Sequence, residues 1–134
     1  MQESKTLNYY DEKTEEFIES TVNVDFKETQ DKFLKLLAPQ AHILDFGCGS
    51  GRDTKYFLEQ GFQVIAIDGS AELCKFASAL TGIEVKQMFF QELSEIETYD
   101  GIWACSSILH LPYGELVDVF LKMVKAVKNG GVIY

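Results

Sequence analysis

The chain has 134 residues, with 21 Asp or Glu against 12 Lys or Arg and a formal net charge of −9. This acidic balance argues against a nucleic-acid partner, because contacts with phosphates require clustered Lys and Arg. No apolar run approaches the roughly 20 residues of a membrane span, and Met1 to Tyr10 lack the apolar core of a signal peptide. We therefore expect a single domain that binds neither nucleic acid nor membrane.

The three cysteines are Cys48, Cys74 and Cys105. Their number is odd and they form no C-x-x-C pair, which fits a reducing compartment better than a disulfide framework. The sequence also has no metal-ligand spacing of Cys, His or carboxylates. These observations predict a cytoplasmic protein with no metal site.

Two helices are predicted in the N-terminal segment, residues 1–40. The first covers Asp11 to Ser20. The second stops before Pro39, because proline cannot continue a helix. Its apolar positions, at helical spacing, are Phe26, Phe33, Leu34 and Leu37.

Strands and helices then alternate over residues 41–134. The predicted strands are 41–46, 62–67, 83–89, 99–105 and 131–134, and the predicted helices are 53–60, 71–80 and 114–127. Such alternation predicts an α/β fold with a parallel sheet and right-handed crossover connections.

A glycine-rich turn separates the first strand of this region from the helix that follows it. The apolar run Ile43 to Phe46 ends in three glycines on alternate positions, Gly47, Gly49 and Gly51. Glycines allow positive φ and let a ligand approach without meeting a Cβ atom, and the start of a helix presents N–H groups. The pattern is typical of a nucleotide-type cofactor site at the carboxyl edge of the sheet; the alternative is an ordinary tight turn.

The spacing and the next strand narrow the choice of cofactor. The dinucleotide fingerprint G-x-G-x-x-G requires a third glycine where this chain has Arg52. Asp68 ends the next apolar run, where an acidic side chain can accept hydrogen bonds from both ribose hydroxyls of an adenosine. The alternative role for Asp68 is to cap the following helix.

The glycine loop and Asp68 resemble motif I and the next acidic motif of class I S-adenosylmethionine-dependent methyltransferases. Tyr99 to Leu111 looks like the fourth-strand motif of that superfamily, and Lys128 to Tyr134 looks like its glycine turn into the fifth strand. The residues around Gly51-Arg52-Asp53 and Trp103-Ala104-Cys105 are similar to the small tellurite-resistance-type branch. The resemblance covers residues 41–134.

The resemblance implies a doubly wound, Rossmann-like, mostly parallel sheet of order 3-2-1-4-5 in residues 41–134, with residues 1–40 as a helical cap or lid. Family members normally continue through two further strands, so the chain is expected to be truncated relative to the family or completed by a partner. An open fifth strand would expose unpaired backbone groups, which predicts self-association through that edge.

The resemblance also implies a set of S-adenosylmethionine-binding residues. They are Tyr10, Asp45, Gly47, Cys48, Gly49, Gly51, Asp68, Gly69, Phe90, Gln91 and Cys105. Asp45 is expected to order the glycine loop and reach toward the methionine amino group, and Cys48 to serve as a small loop residue. Many relatives have an acid near the position of Phe89, so here Gln91 or main-chain groups are expected to contact the adenine amine. Tyr10 is expected either to cover the cofactor or to pack.

Two residues are candidates for the catalytic or methyl-acceptor side. Arg52 could pair with the methionine carboxylate or an anionic substrate, or simply with the neighbouring Asp53. His110 follows the fourth strand and is the evident general base for an oxygen acceptor; the alternative is a structural histidine.

The predicted function is methyl transfer from S-adenosylmethionine to a small-molecule acceptor. Two alternatives are a nicotinamide-dependent oxidoreductase on the same type of sheet and a non-catalytic cofactor-binding or assembly module. Arg52 in place of the third glycine argues against the first.

Overall fold

The computed structural model describes residues 26–104 and 111–134, which form one five-stranded sheet flanked by helices. The strands are β1 His42–Phe46, β2 Gln63–Asp68, β3 Lys86–Gln87, β4 Tyr99–Trp103 and β5 Val127–Ile133. The helices are α1 Lys27–Leu34, α2 Arg52–Glu59, α3 Ala71–Thr81 and α4 Tyr113–Ala126, with a 3₁₀ turn at Phe90–Glu92. The strand order is β3-β2-β1-β4-β5 and every neighbouring pair is parallel, which confirms the predicted fold.

The central strands are buried on both faces, as expected when helices cover a parallel sheet. Because side chains alternate along a strand, Leu44, Phe46 and Ile102 pack in the cluster that contains the inner side of α4. Ile43 and Trp103 point the other way, into a cluster shared with α1 and α2. The glycine loop between β1 and α2 therefore lies at the carboxyl edge of a rigid sheet.

Helix α1 packs directly on the sheet. Phe33 is fully buried, with its ring centroid 5.0 Å from that of Trp103. Gly101 makes this approach possible, because a Cβ atom there would lie 2.8 Å from Cζ of Phe33. The predicted helix Asp11 to Ser20 lies outside the described residues, and the lid role of residues 1–40 stays a prediction.

The predicted third strand, 83–89, is too long. The strand consists of Lys86 and Gln87, which pair with β2, and the Met88 N–H donates to the Asp68 carbonyl at 2.9 Å. Upstream, the Val85 N–H donates to Oγ of Ser78 on α3 at 2.9 Å instead of to the neighbouring strand. Downstream, the chain turns into the 3₁₀ segment. At Val85, a side-chain acceptor on α3 thus takes the place of the backbone hydrogen bond to β2 that the predicted strand would have made.

The predicted fifth strand, 131–134, begins too late. Helix α4 ends at Ala126 and β5 begins at the next residue, Val127, without an intervening loop. The pairing with β4 is irregular between Tyr99 and Gly101, so the glycine-rich residues lie in a bulge. Gly131 is needed there because a Cβ atom would lie 2.5 Å from Cγ2 of Val127.

Within residues 26–104 and 111–134, no helix is long and apolar enough to cross a membrane. The same residues contain no group of three or more His, Cys, Asp or Glu side chains arranged to hold a metal ion.

Candidate functional site

The glycine loop adopts the left-handed backbone that its sequence predicts. The φ angles of Gly47, Gly49 and Gly51 are 84°, 58° and 92°, a region that costs other residues roughly 1–2 kcal/mol each. The loop is fastened to β2, because the N–H groups of Gly47 and Cys48 both donate to the Ile67 carbonyl, at 3.0 and 2.9 Å. The tight turn is therefore held against the strand that ends in Asp68.

Asp68 joins the two loops at the carboxyl edge of the sheet. Its Oδ1 accepts the Gly49 N–H at 3.0 Å, and its Oδ2 accepts the Ser70 N–H at 3.0 Å. The side chain is not the cap of α3, since Oγ of Ser70 accepts the Leu73 N–H at that helix start. A carboxylate oxygen can accept more than one hydrogen bond. The Asp68 carboxylate can therefore order both loops and still accept hydrogen bonds from the hydroxyl groups of a ligand.

Asp45 lies beneath the glycine loop and is 1% exposed. Its Oδ2 accepts a hydrogen bond from Oγ1 of Thr54 at 2.5 Å, which joins β1 to the first turn of α2. Burial raises the pKa of Asp45 well above its usual range, and the nearby Asp53 carboxylate raises it further, while the Thr54 hydrogen bond acts in the opposite direction. A cationic ligand group would favour the ionised form.

Arg52 pairs with the neighbouring Asp53, which is the alternative to a role at the cofactor or the acceptor. Its Nε and a terminal nitrogen donate to the two carboxylate oxygens of Asp53, at 3.0 and 3.1 Å. The guanidinium also lies over the ring of Phe26, 4.8 Å from the centroid. The paired guanidinium is thus fixed between α1 and α2, and a role toward an acceptor stays a prediction.

The Asp53 side chain accepts hydrogen bonds from three different residues near the loop, of which the sequence indicated only Arg52. Besides Arg52, it accepts hydrogen bonds from Gln30 Nε2 at 2.6 Å and from Trp103 Nε1 at 2.9 Å. These partners are 23 and 50 positions away along the chain. No local pattern could have brought them together.

The two described cysteines are buried, structural thiols. Burial raises the pKa of Cys48 well above its usual range, and burial also raises the pKa of Cys74 to about 11. The Cys74 thiol donates to the Asp68 carbonyl at 3.3 Å. Neither thiol has the lowered pKa of a reactive cysteine, and the role of Cys48 as a small loop residue stays a prediction.

The 3₁₀ turn after β3 packs between the sheet and α4. The ring centroids of Phe90 and Phe46 are 4.7 Å apart. The Gln91 amide donates to Oε1 of Glu115 at 3.3 Å, and Nζ of Lys122 donates to the Gln91 carbonyl. The turn is therefore anchored to α4, and a contact of Gln91 with adenine stays a prediction.

Three predicted site residues, Tyr10, Cys105 and His110, lie outside the described residues. Gly69 lies between Asp68 and Ser70, and its carbonyl accepts a hydrogen bond from Nε2 of Gln87 at 3.3 Å. The structure thus brings together the two loops after β1 and β2, with Asp45 beneath the first.

Comparison with known proteins agrees with this architecture. Residues 43–131 match the family model described as "Methyltransferase domain". The chain belongs to this family, and with it to the class I S-adenosylmethionine-dependent methyltransferases.

The proteins that are similar in sequence are longer than this chain. The chain is 28% identical over 104 residues to the Bacillus subtilis (strain 168) protein named "Putative methyltransferase YqeM", covering 72% of this chain and 42% of that protein. It is also 28% identical over 111 residues to malonyl-[acyl-carrier protein] O-methyltransferase of Salmonella typhimurium, covering 80% and 43%. The chain thus spans about two fifths of the length of these relatives.

The fold also matches solved methyltransferase structures. One is a TehB-like SAM-dependent methyltransferase from Corynebacterium glutamicum, with a TM-score of 0.74, 20% identity, and coverage of 97% of this chain and 72% of that one. Another is the Burkholderia thailandensis 1,6-didemethyltoxoflavin-N1-methyltransferase with bound 1,6-didemethyltoxoflavin and S-adenosylhomocysteine, with a TM-score of 0.72, 22% identity, and coverage of 93% and 56%. At these identities the likeness is one of fold.

Proposed function

We propose that the protein transfers the methyl group of S-adenosylmethionine to a small-molecule acceptor, and that its cofactor lies over the loops that follow β1 and β2. The observation that carries this proposal is the Asp68 carboxylate, which hydrogen bonds the main chain of both loops at the carboxyl edge of the sheet. Ligands of open α/β sheets bind at this edge, beside the point where the strand order reverses. That point lies between β1 and β4 in the order β3-β2-β1-β4-β5.

The residues present suit the cofactor. Gly47 and Gly49 give the loop two positions without a Cβ atom, where a ligand can approach the backbone, and Asp68 is suited to accept the ribose hydroxyls. Asp45 is suited to balance the ammonium group of the methionine end. When bound, the cofactor supplies an activated methyl group, so the tasks of the protein are to bind, to orient and to exclude water.

The small-molecule acceptor is supported by the Burkholderia neighbour, whose structure contains bound 1,6-didemethyltoxoflavin and S-adenosylhomocysteine. We propose that His110 and Arg52 contribute to the acceptor side or the methionine end of the site, since Arg52 directly follows the glycine loop and His110 comes after β4 in the sequence. A screen of thiols, oxyanions and small amines with radiolabelled methyl donor would identify the acceptor. Loss of turnover in His110→Ala above the pKa of histidine would support a base, while unchanged turnover at every pH would contradict it.

Calorimetric titration tests the cofactor directly. We expect saturable binding of S-adenosylhomocysteine and no detectable binding of NAD under the same conditions. The reverse result would favour the oxidoreductase alternative. Tight binding of S-adenosylhomocysteine with no transfer to any acceptor class would favour the non-catalytic module.

We also propose that the chain self-associates through the β5 side of the sheet. The outer face of α4 carries a stripe of apolar side chains that are 40–54% exposed. They are Val117, Phe120, Leu121 and Val124. Together with β5, the outermost strand on this side of the described sheet, they form a surface that favours pairing with another copy. Light scattering should give a mass that rises with concentration, and Phe120→Glu with Val124→Glu should reduce it to the monomer; a constant monomer mass would contradict the proposal.

A further inference from the structure

Asp53 holds three separate segments around the candidate site through one buried carboxylate. Its Oδ1 accepts from Arg52 Nε and Gln30 Nε2, and its Oδ2 accepts from the other Arg52 donor and Trp103 Nε1. Asp53 is 8% exposed. All four donors lie between 2.6 and 3.1 Å from the oxygens that accept them.

Each partner lies at the margin of the site. Arg52 is the first residue after the glycine loop, and Trp103 ends β4 at the carboxyl edge of the sheet. Gln30 lies on α1, directly after the first turn of that helix. The carboxylate therefore joins the loop that is proposed to hold the cofactor to the end of β4 and to the N-terminal part of the chain.

The network depends on an acceptor with two equivalent charged oxygens. Arg and Trp side chains donate only, so neither can adapt if an oxygen of Asp53 becomes an amino group, whereas Gln30 can turn its amide. Asp53→Asn preserves the shape of the side chain. In either orientation, however, the amino group that this substitution introduces would face at least one N–H donor of Arg52 or Trp103 that cannot become an acceptor. Because a buried N–H donor without an acceptor is unfavourable, we expect one of the three segments to shift away from residue 53.

We propose that Asp53 is a positioning residue for cofactor binding, which acts through Arg52 on the glycine loop and through Trp103 on the end of β4. This inference rests on the proposed cofactor site in the loop. A residue that only strengthened the packing of α1 on α2 would change stability but leave the affinity of the folded protein for its ligand unchanged.

Tyr56→Phe provides a matched control. The Tyr56 hydroxyl donates to Oδ1 of Asp31 at 2.5 Å, which also links α2 to α1, but one turn further from the glycine loop. Both substitutions, Asp53→Asn and Tyr56→Phe, change a side chain that is hydrogen bonded between the same two helices, with little change of volume. Asp53 is bonded to Arg52, the residue that directly follows the loop, whereas Tyr56 is bonded to Asp31 on α1.

The test is calorimetric titration of S-adenosylhomocysteine into the wild type and each variant, well below their midpoints of thermal unfolding. We expect Asp53→Asn to raise the Kd at least about tenfold and Tyr56→Phe to change it less than about twofold. Trp103 is the only tryptophan in the chain, so its emission reports the network directly. The emission maximum should shift in free Asp53→Asn and stay unchanged in Tyr56→Phe.

A Kd for Asp53→Asn within twofold of the wild type would overturn the proposal, and so would an equal rise in Tyr56→Phe. If Asp53→Asn does not fold, Gln30→Met removes the buried donor that helps to hold the Asp53 carboxylate against Arg52 and Trp103, and it should raise the Kd about threefold; an unchanged Kd would then overturn the proposal. A wild type that binds no S-adenosylhomocysteine would overturn the cofactor proposal as well. Binding by the wild type and equal binding by its variants would overturn only the role of Asp53.

Discussion

Substitution of Gly51 tests the packing that sets the glycine loop against α3. Its φ is +92°, and an added Cβ atom would lie 3.0 Å from Cβ of Ala77 and 3.2 Å from Cγ2 of Thr81. The left-handed backbone costs a non-glycine residue about 1–2 kcal/mol, and overpacking costs about 1–3 kcal/mol. We therefore expect Gly51→Ala to lower the free energy of unfolding by about 2–5 kcal/mol, measured by urea denaturation.

Gly61→Ala is the matched control for the backbone contribution. Gly61 has nearly the same φ, +91°, but nothing lies within 4 Å of its added Cβ atom. We expect it to lose only about 1–2 kcal/mol, so the difference between the variants isolates the contact with α3. Adding Ala77→Gly to Gly51→Ala should make the combined loss smaller than the sum of the single losses. Equal losses at Gly51 and Gly61, with an additive double variant, would refute the steric argument.

Three further predictions concern side chains of the site. Asp68→Ala should weaken binding of S-adenosylhomocysteine by about 1.5–3 kcal/mol in a calorimetric titration, and an unchanged affinity would show that the ribose is held elsewhere. Because the pKa of Asp45 is raised in the folded state by burial, its favourable contribution to stability is present at acidic pH and is lost as pH rises through that pKa. Asp45→Asn should therefore gain stability relative to the wild type as pH rises from 4 toward neutrality in urea melts; a pH-independent difference would contradict this assignment. Cys48 and Cys74 should be alkylated by iodoacetamide at pH 8 much more slowly in the folded than in the unfolded protein, as measured by peptide mass spectrometry, and rapid labelling of either would show that its thiol is accessible.

The parts of the fold that the sequence predicted correctly are those set by local patterns. The apolar run before Gly47, the alternate glycines and the acid that ends β2 each act within a few residues, and the structure has the strand, the positive φ angles and Asp68 where these patterns indicate. Ser70, directly before α3, accepts a hydrogen bond from the Leu73 N–H, as a serine at the start of a helix favours. Local chemistry determines these features, so a single sequence suffices to find them.

The features that the sequence did not predict depend on contacts between distant segments. The third strand is short because Val85 donates to Ser78 on α3, and the fifth strand begins early because α4 ends at Ala126, directly before Val127. The Asp53 network joins residues up to 50 positions apart. An acid in the first turn of a helix normally indicates only a favourable interaction with the helix dipole, so the sequence offered no reason to expect a bonded centre there.

The most direct test of the cofactor site is a titration of S-adenosylhomocysteine into ¹⁵N-labelled protein, followed by the backbone amide signals. We expect saturable shifts for Gly47, Gly49 and Ser70, whose N–H groups lie at the carboxyl ends of β1 and β2. The amides near Asp100, at the opposite end of the sheet, should not move. Saturable shifts that leave both loops unmoved, or the absence of any shift at millimolar ligand, would contradict the assignment of the cofactor to this edge.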